Sequence, residues 1–434
     1  MSSNNNLPDF VKNYLTKFSF SKWNLHKEDY KFYDNIIVIP SLAESEIITN
    51  CIKSLELNNQ NILDKTLIIV VINNSEDAPS DIAENNQKTF ELLSNYNGKL
   101  NINFVDAFSK QRSLPKKLAG VGFARKIGLD LALTKFDYES RNKKILIWLD
   151  ADSEVESNYL EVITERFNKE NLSSAVIEYE HKIIDNQPEA KAIICYETFL
   201  RYFRLALIYA KFHFDYHAIG STIVCDVESY TKASGMNSKQ AGEDFYFLEK
   251  LAKQNKVTTI TETLVYPSPR RSWRVPFGTG QRITRYLQQG EDEYSVYNPK
   301  SFELLKEWLE FFYSDFTVET SSILRQAKEI SIHLHSFLIE QGFEKSWNKI
   351  LRNSDSPIEI RKQKIFWFDA FRTLKLIHYL RDNIFPNINT YDALKILLKN
   401  FQIPNDYDFE KAKTDYQTQK QILISLRNFF RNKL

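Results

Sequence analysis

Two carboxylates one residue apart, Asp150 and Asp152, directly follow an apolar run, Ile145-Leu146-Ile147-Trp148-Leu149. Carboxylates so spaced at the end of a strand can reach one pocket, because the chain turns there. The pair suits a hard divalent cation whose other ligands are phosphate oxygens. A solvated acidic turn is the alternative. A second acidic pair, Glu243-Asp244, precedes a helical pattern through Phe245, Leu248, Leu251 and Ala252. Acids at a helix start answer the macrodipole, or one of them serves a cleft as a general base. A third cluster, Arg270-Arg271-Ser272-Trp273-Arg274, lies between prolines and a Gly278-Thr279-Gly280 turn. It reads as a cationic lid able to fork onto a diphosphate, or as a solvated basic loop. His213 and His217 sit among aromatics, where a histidine is either packed in the core or available as a further metal ligand. Gly220-Ser221-Thr222 suits an acceptor-side wall.

These groups need a scaffold that brings distant segments together. Ile36-Ile37-Val38-Ile39-Pro40 and Leu67 to Ile72 are unbroken apolar runs of the kind found in central strands buried on both faces. Ile102–Val105 and Ile145–Trp148 are further strands. Helical spacing over Glu44–Leu55 and Lys116–Leu133 alternates with them, which predicts an α/β fold with a mostly parallel sheet. Sites in such sheets lie beyond the carboxyl ends of the strands, where Pro40, Asn73 and Asp150 all fall.

Composition narrows the class. Fifty-seven basic and 56 acidic residues leave a formal charge of +1, so no bulk electrostatic case for nucleic acid exists. Cys51, Cys195 and Cys225 are far apart and fit a reducing compartment. The polar N-terminus lacks the layout of a signal peptide. The most membrane-like stretch, Ala192–Phe212, carries Glu197, Arg201, Arg204 and Lys211, and so reads as a buried helix. A cytoplasmic protein is expected. After about residue 300 glycine nearly vanishes, and helical patterns follow over Phe302–Phe312, Ile323–Ile339 and Ile365–Leu380. The expected organisation is an N-terminal arm (1–30), an α/β catalytic domain (31–298) and a helical C-terminal domain (299–434). In the last segment, Ile422, Leu423, Leu426, Phe429 and Phe430 share one helical face. That face docks on its own domain, or it makes peripheral contact with the inner face of a membrane.

From Ile36 to Arg285 the order of motifs resembles a family 2 glycosyltransferase of the GT-A fold. The resemblance rests on five motifs: the strand ending in Pro40 with Glu44 after it, the turn Asn73-Asn74-Ser75-Glu76-Asp77, the helix Gly122-Phe123-Ala124-Arg125-Lys126-Ile127-Gly128, the Asp150-Ala151-Asp152 motif and the Glu243-Asp244 pair. It implies a Rossmann-like sheet flanked by helices and a nucleotide-diphospho-sugar donor. The implied acceptor is a hydroxyl of a sugar, a glycan or a lipid-linked glycan. Asp152 would bind Mg²⁺ or Mn²⁺, with Asp150 at the ribose or a metal-bound water and His217 as a weaker further ligand. Pro40, Glu44, Asn73, Asn74 and Arg125 would shape the nucleotide pocket, and Arg270 and Arg271 would meet the diphosphate. Asp244 would be the base and Glu243 would orient the acceptor, giving inversion. Ile72 and Asn73 stand where the family often has an aspartate for the base, so the nucleobase stays open. The Gln-x-x-Arg-Trp signature of processive synthases is absent, which implies one transfer per encounter. A retaining transferase on the same fold, a sugar-nucleotidyltransferase and a catalytically silent sugar-nucleotide-binding scaffold are the competing readings.

Overall fold

The apolar runs become the middle of a sheet. The computed structural model describes residues 7–237, 242–271, 278–289, 293–314, 319–354, 356–401 and 406–433. Its strands in chain order are β1 (Asn35–Ser41), β2 (Thr66–Asn73), β3 (Asn101–Ala107), β4 (Ile145–Trp148), β5 (Glu154–Val155), β6 (Ser174–Tyr179), β7 (Ile223–Asp226) and β8 (Thr258–Tyr266). They form one sheet in the order β3-β2-β1-β4-β7-β6-β8-β5. Every residue of β1, β2 and β4 is buried, as continuous β-branched and apolar runs require when helices cover both faces. β1 pairs parallel with β2 and with β4, and β2 pairs parallel with β3. β7 lies antiparallel to β4 and β6, and β5 antiparallel to β8. The sheet is therefore mostly parallel and flanked by helices.

The strand order contains the most useful fact about the site. From β1 the chain winds outward through β2 to β3, then returns to place β4 on β1's other side. Between β1 and β4 the winding direction reverses, and in open α/β sheets a crevice forms beyond the strand ends at that point. Register aligns Val38 with Trp148, so the turns after β1 and β4 leave the sheet side by side. Because β7 is antiparallel to β4, its start, with the short helix Gly220–Thr222 before it, lies at the same edge.

Helix boundaries differ from the sequence pattern for local reasons. The helix expected from Glu44 begins only at Ile48. Ahead of it, Asn86 accepts from the Ala43 amide (2.9 Å), Asn85 accepts from the Ser45 amide (3.0 Å), and Ala43 takes φ 53°. The helix expected from Lys116 begins at Val121, because Gly120 is extended. Within that helix Gly128 permits a close approach: an added Cβ would lie 2.5 Å from Val38 Cγ1 and 2.8 Å from Val71 Cγ2. The helix is thereby pressed onto β1 and β2. The pattern over 323–339 is divided by Ser331, and that over 365–380 by Asp369; each residue caps a new helix by accepting a backbone N–H.

The chain separates into two compact units. The first comprises Met1–Lys182, Ala218–Gln281 and Phe430–Leu434, and the second Ile183–His217 and Arg282–Phe429. The second unit is helical, and the long helix Pro188–Tyr209 belongs to it. Its buried Glu197 is paired rather than solvated. Glu197, fully buried, accepts from Arg201 Nε (2.8 Å) and from Arg427 Nε and Nη2 (2.8 and 2.6 Å). Such pairing is what makes buried charge tolerable. In the helix Tyr416–Lys433, Ile422, Leu423 and Leu426 are buried. These three side chains of the apolar face are thus covered by protein. Among the described residues no helix is long and apolar enough to cross a membrane. Cys51, Cys195 and Cys225 are buried free thiols.

Candidate active site

At the switch point the carboxylates alternate with arginines. Asp150 and Asp152 follow β4 and are partly exposed, with 34% and 22% of their side-chain surface accessible. Arg125, on the helix Val121–Ala132, is 3% exposed and joins two of the sequence motifs. Its Nη2 is paired with Asp150, and its Nη1 donates to Glu243 Oε1 at 2.9 Å. Arg270 follows β8 and makes a second bridge. Its Nε donates to Asp152 Oδ2 at 2.8 Å, and its Nη2 is paired with Glu44 in the turn after β1.

Several positions depend on small backbone devices. Gly242 takes φ 71° and starts the helix Glu243–Gln254, so both acids fall in its first turn, where the dipole favours negative charge. Asp244 Oδ1 accepts from the Phe245 amide at 2.8 Å. A Cβ at Gly220 would lie 2.6 and 2.7 Å from the two terminal nitrogens of Arg125, so the guanidinium occupies space that a side chain would fill. Gly220→Ala should therefore displace Arg125 and destabilise the domain by about 1–3 kcal/mol, the usual cost of overpacking. Thermal unfolding measures this, and an unchanged midpoint would show that the guanidinium has room to move.

Burial and pairing set the charge states. Burial, the largest influence, works against the charge on Arg125, but Asp150, Glu243 and Asp244 outweigh it and hold the guanidinium protonated. Burial pushes the carboxyls of Glu243 and Asp244 up from their ordinary values, and Arg125 opposes this in both. Arg270 stays charged for the same reason as Arg125: Asp152 and Glu44 outweigh the effect of burial.

The turn after β2 is held from outside the sheet. Asn86, fully buried on the helix Ser80–Ser94, donates to Asn73 O (3.0 Å) and to Asn74 Oδ1 (2.8 Å). Together with its bond to Ala43 this ties the turns of β1 and β2 to one side chain. Among the described residues, Asn73 Oδ1, Ser41 Oγ, Ser153 Oγ and Ser221 Oγ are buried without a hydrogen-bond partner. Native interiors rarely leave such groups unmet without a reason, and a polar ligand at this edge is one.

Of the residues singled out by sequence, Glu44, Arg125, Asp150, Asp152, Glu243 and Arg270 are brought into these charge networks by the pairs above, and Asp244 lies close enough to Arg125 to support its charge. Pro40 is buried in β1 opposite Val71, and Asn73 ends β2. Arg271 is exposed beside Arg270. His217 is buried and falls in the second unit. The remainder of the expected lid, Ser272 to Phe277, lies outside the described residues. Among the described residues no three His, Cys, Asp or Glu side chains gather as a ready-made metal cage. Sequence reading missed Asn85, Asn86 and the relation of Gly220 to Arg125. The adjacent asparagines on an otherwise amphipathic helix were the available signal for the first two.

The crystal structure of S. aureus TarS 1–349 is 11% identical, covering 77% of this chain and 91% of its own, with a TM-score of 0.38. The same protein in complex with UDP-GlcNAc is 12% identical, covering 92% and 91%, with a TM-score of 0.39. The mannosyltransferase PcManGT from Pyrobaculum calidifontis, in complex with GDP-Man and Mn²⁺, is 11% identical, covering 98% and 93%, with a TM-score of 0.35. No curated protein sequence matches the chain. Residues 36–232 match the family model described as glycosyl transferase family 2.

Proposed function

We propose that the enzyme transfers a sugar from a nucleotide-diphosphate donor to an acceptor hydroxyl, with divalent-metal assistance and inversion, one sugar per encounter. The observation that carries this reading is Arg125, which ties Asp150 of the β4 turn to Glu243 beside Asp244. A donor-side carboxylate and a candidate base are thereby held to one buried guanidinium, and positioning of this kind is what a displacement reaction needs.

Oxygen donors of Asp152 and Asp150 fit a hard cation, which takes one or two carboxylates from protein and the rest from phosphate and water. Such a cation would supply charge neutralisation of the departing diphosphate. The chain's own groups would do the rest. Asp244 takes the proton of the acceptor hydroxyl, Glu243 orients the acceptor side, and Arg270 with Arg271 offers guanidinium forks to phosphate oxygens. Glu44, Asn73 and Asn74 shape the nucleoside side, where the unmet Oδ1 of Asn73 accepts from a ligand N–H or O–H.

Asp152→Asn should remove metal-dependent donor binding, a loss of about a hundredfold or more if a charged ligand becomes a neutral one. Calorimetric titration with UDP- and GDP-sugars, with and without Mn²⁺, reads it; equal affinity in variant and wild type would dismiss Asp152 as the ligand. The anomeric configuration of the product, read by NMR, separates inversion from retention, and a retained configuration would end the role assigned to Asp244.

A further inference from the structure

We propose that Arg270 is a resident counter-cation of the donor site: it holds Glu44 and Asp152 together in the donor-free enzyme and yields that place when a divalent cation binds with the donor. This inference rests on the metal-assisted reading above and adds an exchange of cations to it.

Three features of the structure support the exchange. First, Glu44 and Asp152 leave different strands, β1 and β4, on the two sides of the switch point, and one guanidinium spans both. Like charges facing one crevice repel, and a shared cation relieves that. Second, Glu44 is 4% exposed, and a carboxylate so buried is costly without a counter-charge. Arg270 supplies such a charge, and a divalent cation arriving as it leaves keeps the crevice neutralised, which makes the event an exchange rather than a release. Third, Arg270 sits in an irregular stretch only four residues beyond β8, with 27% of its side chain accessible. It is tethered close to the crevice yet is not fixed by a helix or strand. A fork released from two carboxylates retains its full charge and suits phosphate oxygens.

The exchange has a thermodynamic signature. Arg270 competes with metal for the Asp152 carboxylate, so it weakens metal binding in the donor-free enzyme. Once the diphosphate offers Arg270 another partner, that competition is relieved. Nucleotide and metal must then strengthen each other's binding by the same factor. Removing Arg270 should raise donor-free metal affinity and shrink that mutual enhancement.

The test is a titration of Mn²⁺ followed by the EPR signal of the free ion, in the absence and presence of UDP or GDP. Arg270→Gln should bind Mn²⁺ about ten- to a hundredfold more tightly than wild type without nucleotide, the range expected when a charge-assisted competitor is lost. Its enhancement by nucleotide should fall correspondingly. Arg270→Lys retains the charge but not the fork, and should lie between the two. If Arg270→Gln does not fold, as judged by circular dichroism, the lysine variant decides, and donor-free affinity equal to wild type overturns the exchange. Equal donor-free affinity in Arg270→Gln, with wild type still enhanced by nucleotide, overturns the exchange and leaves the metal-assisted reading standing. No Mn²⁺ binding in any arm overturns both.

Discussion

Asp244→Asn should lose sugar transfer by about 10²–10⁴-fold, the usual contribution of a positioned general base, while donor binding is retained. The acid is held at the start of the helix Glu243–Gln254 by the turn at Gly242, and its Oδ1 is oriented by the Phe245 amide. Burial raises its pKa from the ordinary 3.8, and Arg125 moderates the rise. The base works only when unprotonated. The acid limb of the pH–rate profile should therefore lie above the ordinary carboxylate value and disappear from the residual activity of the variant. Stability should respond with the opposite sign. A carboxyl whose folded pKa is raised contributes stability that is present below its unfolded pKa and lost as pH rises through the folded value. The asparagine variant should then unfold at a higher temperature than wild type at neutral pH, and the difference should close as pH falls below 3.8. Wild-type turnover in this variant would remove Asp244 from the chemistry.

Loss of Arg125 should be the most destabilising single change at the site. Arg125 and Glu243 are 3% and 4% accessible in their side chains, so removing the cation strands a charge in the interior. Breaking such a pair typically costs about 3–5 kcal/mol. Arg125→Met should therefore lower the urea midpoint strongly, and Glu243→Gln in the same chain should restore part of the loss, a coupling of roughly 0.5–3 kcal/mol for groups in direct contact. Because Arg125 holds down the pKa values of both Glu243 and Asp244, any activity left in Arg125→Met should have its acid limb shifted to still higher pH. Wild-type stability in the single variant would show that the bridge is not a support of the fold.

The two variants separate chemistry from architecture. On the proposed mechanism, the first removes a group that acts on the acceptor, and the second removes a buried cation that holds Glu243 beside that group. Loss of transfer in both, with loss of stability only in the second, is the pattern expected of a base at Asp244 and a positioning cation at Arg125.

Much of the sheet was readable because its signal is local. Runs such as Ile36–Ile39 and Leu67–Ile72 are buried on both faces, and such burial leaves no polar residue within the run. Acids at Asp150 and Asp152 were readable because they interrupt one of these runs. Helix starts were less readable, since side chains far away in sequence decide them. Glu44 sits in a loop because Asn85 and Asn86 hold the neighbouring amides, and nothing within residues 41–48 reveals that. The antiparallel direction of β7 was equally hidden, because a short buried strand carries the same apolar pattern whichever way it runs.

By itself, the order of residues determined the candidates: which carboxylates end strands, which arginines lie near them in the chain, and which runs must be buried. Periodicity and turn chemistry suffice for that, because they depend on neighbours within a few positions. Only the tertiary structure decided the partnerships. Arg125 meets Glu243 across 118 positions, and Arg270 meets Glu44 across 226. Those pairs depend on β4 returning to β1's free side and on Gly128 and Gly220 leaving room for close approach. The energy of a buried ion pair is set by where its two chain segments are brought together, and no spacing along the sequence encodes that.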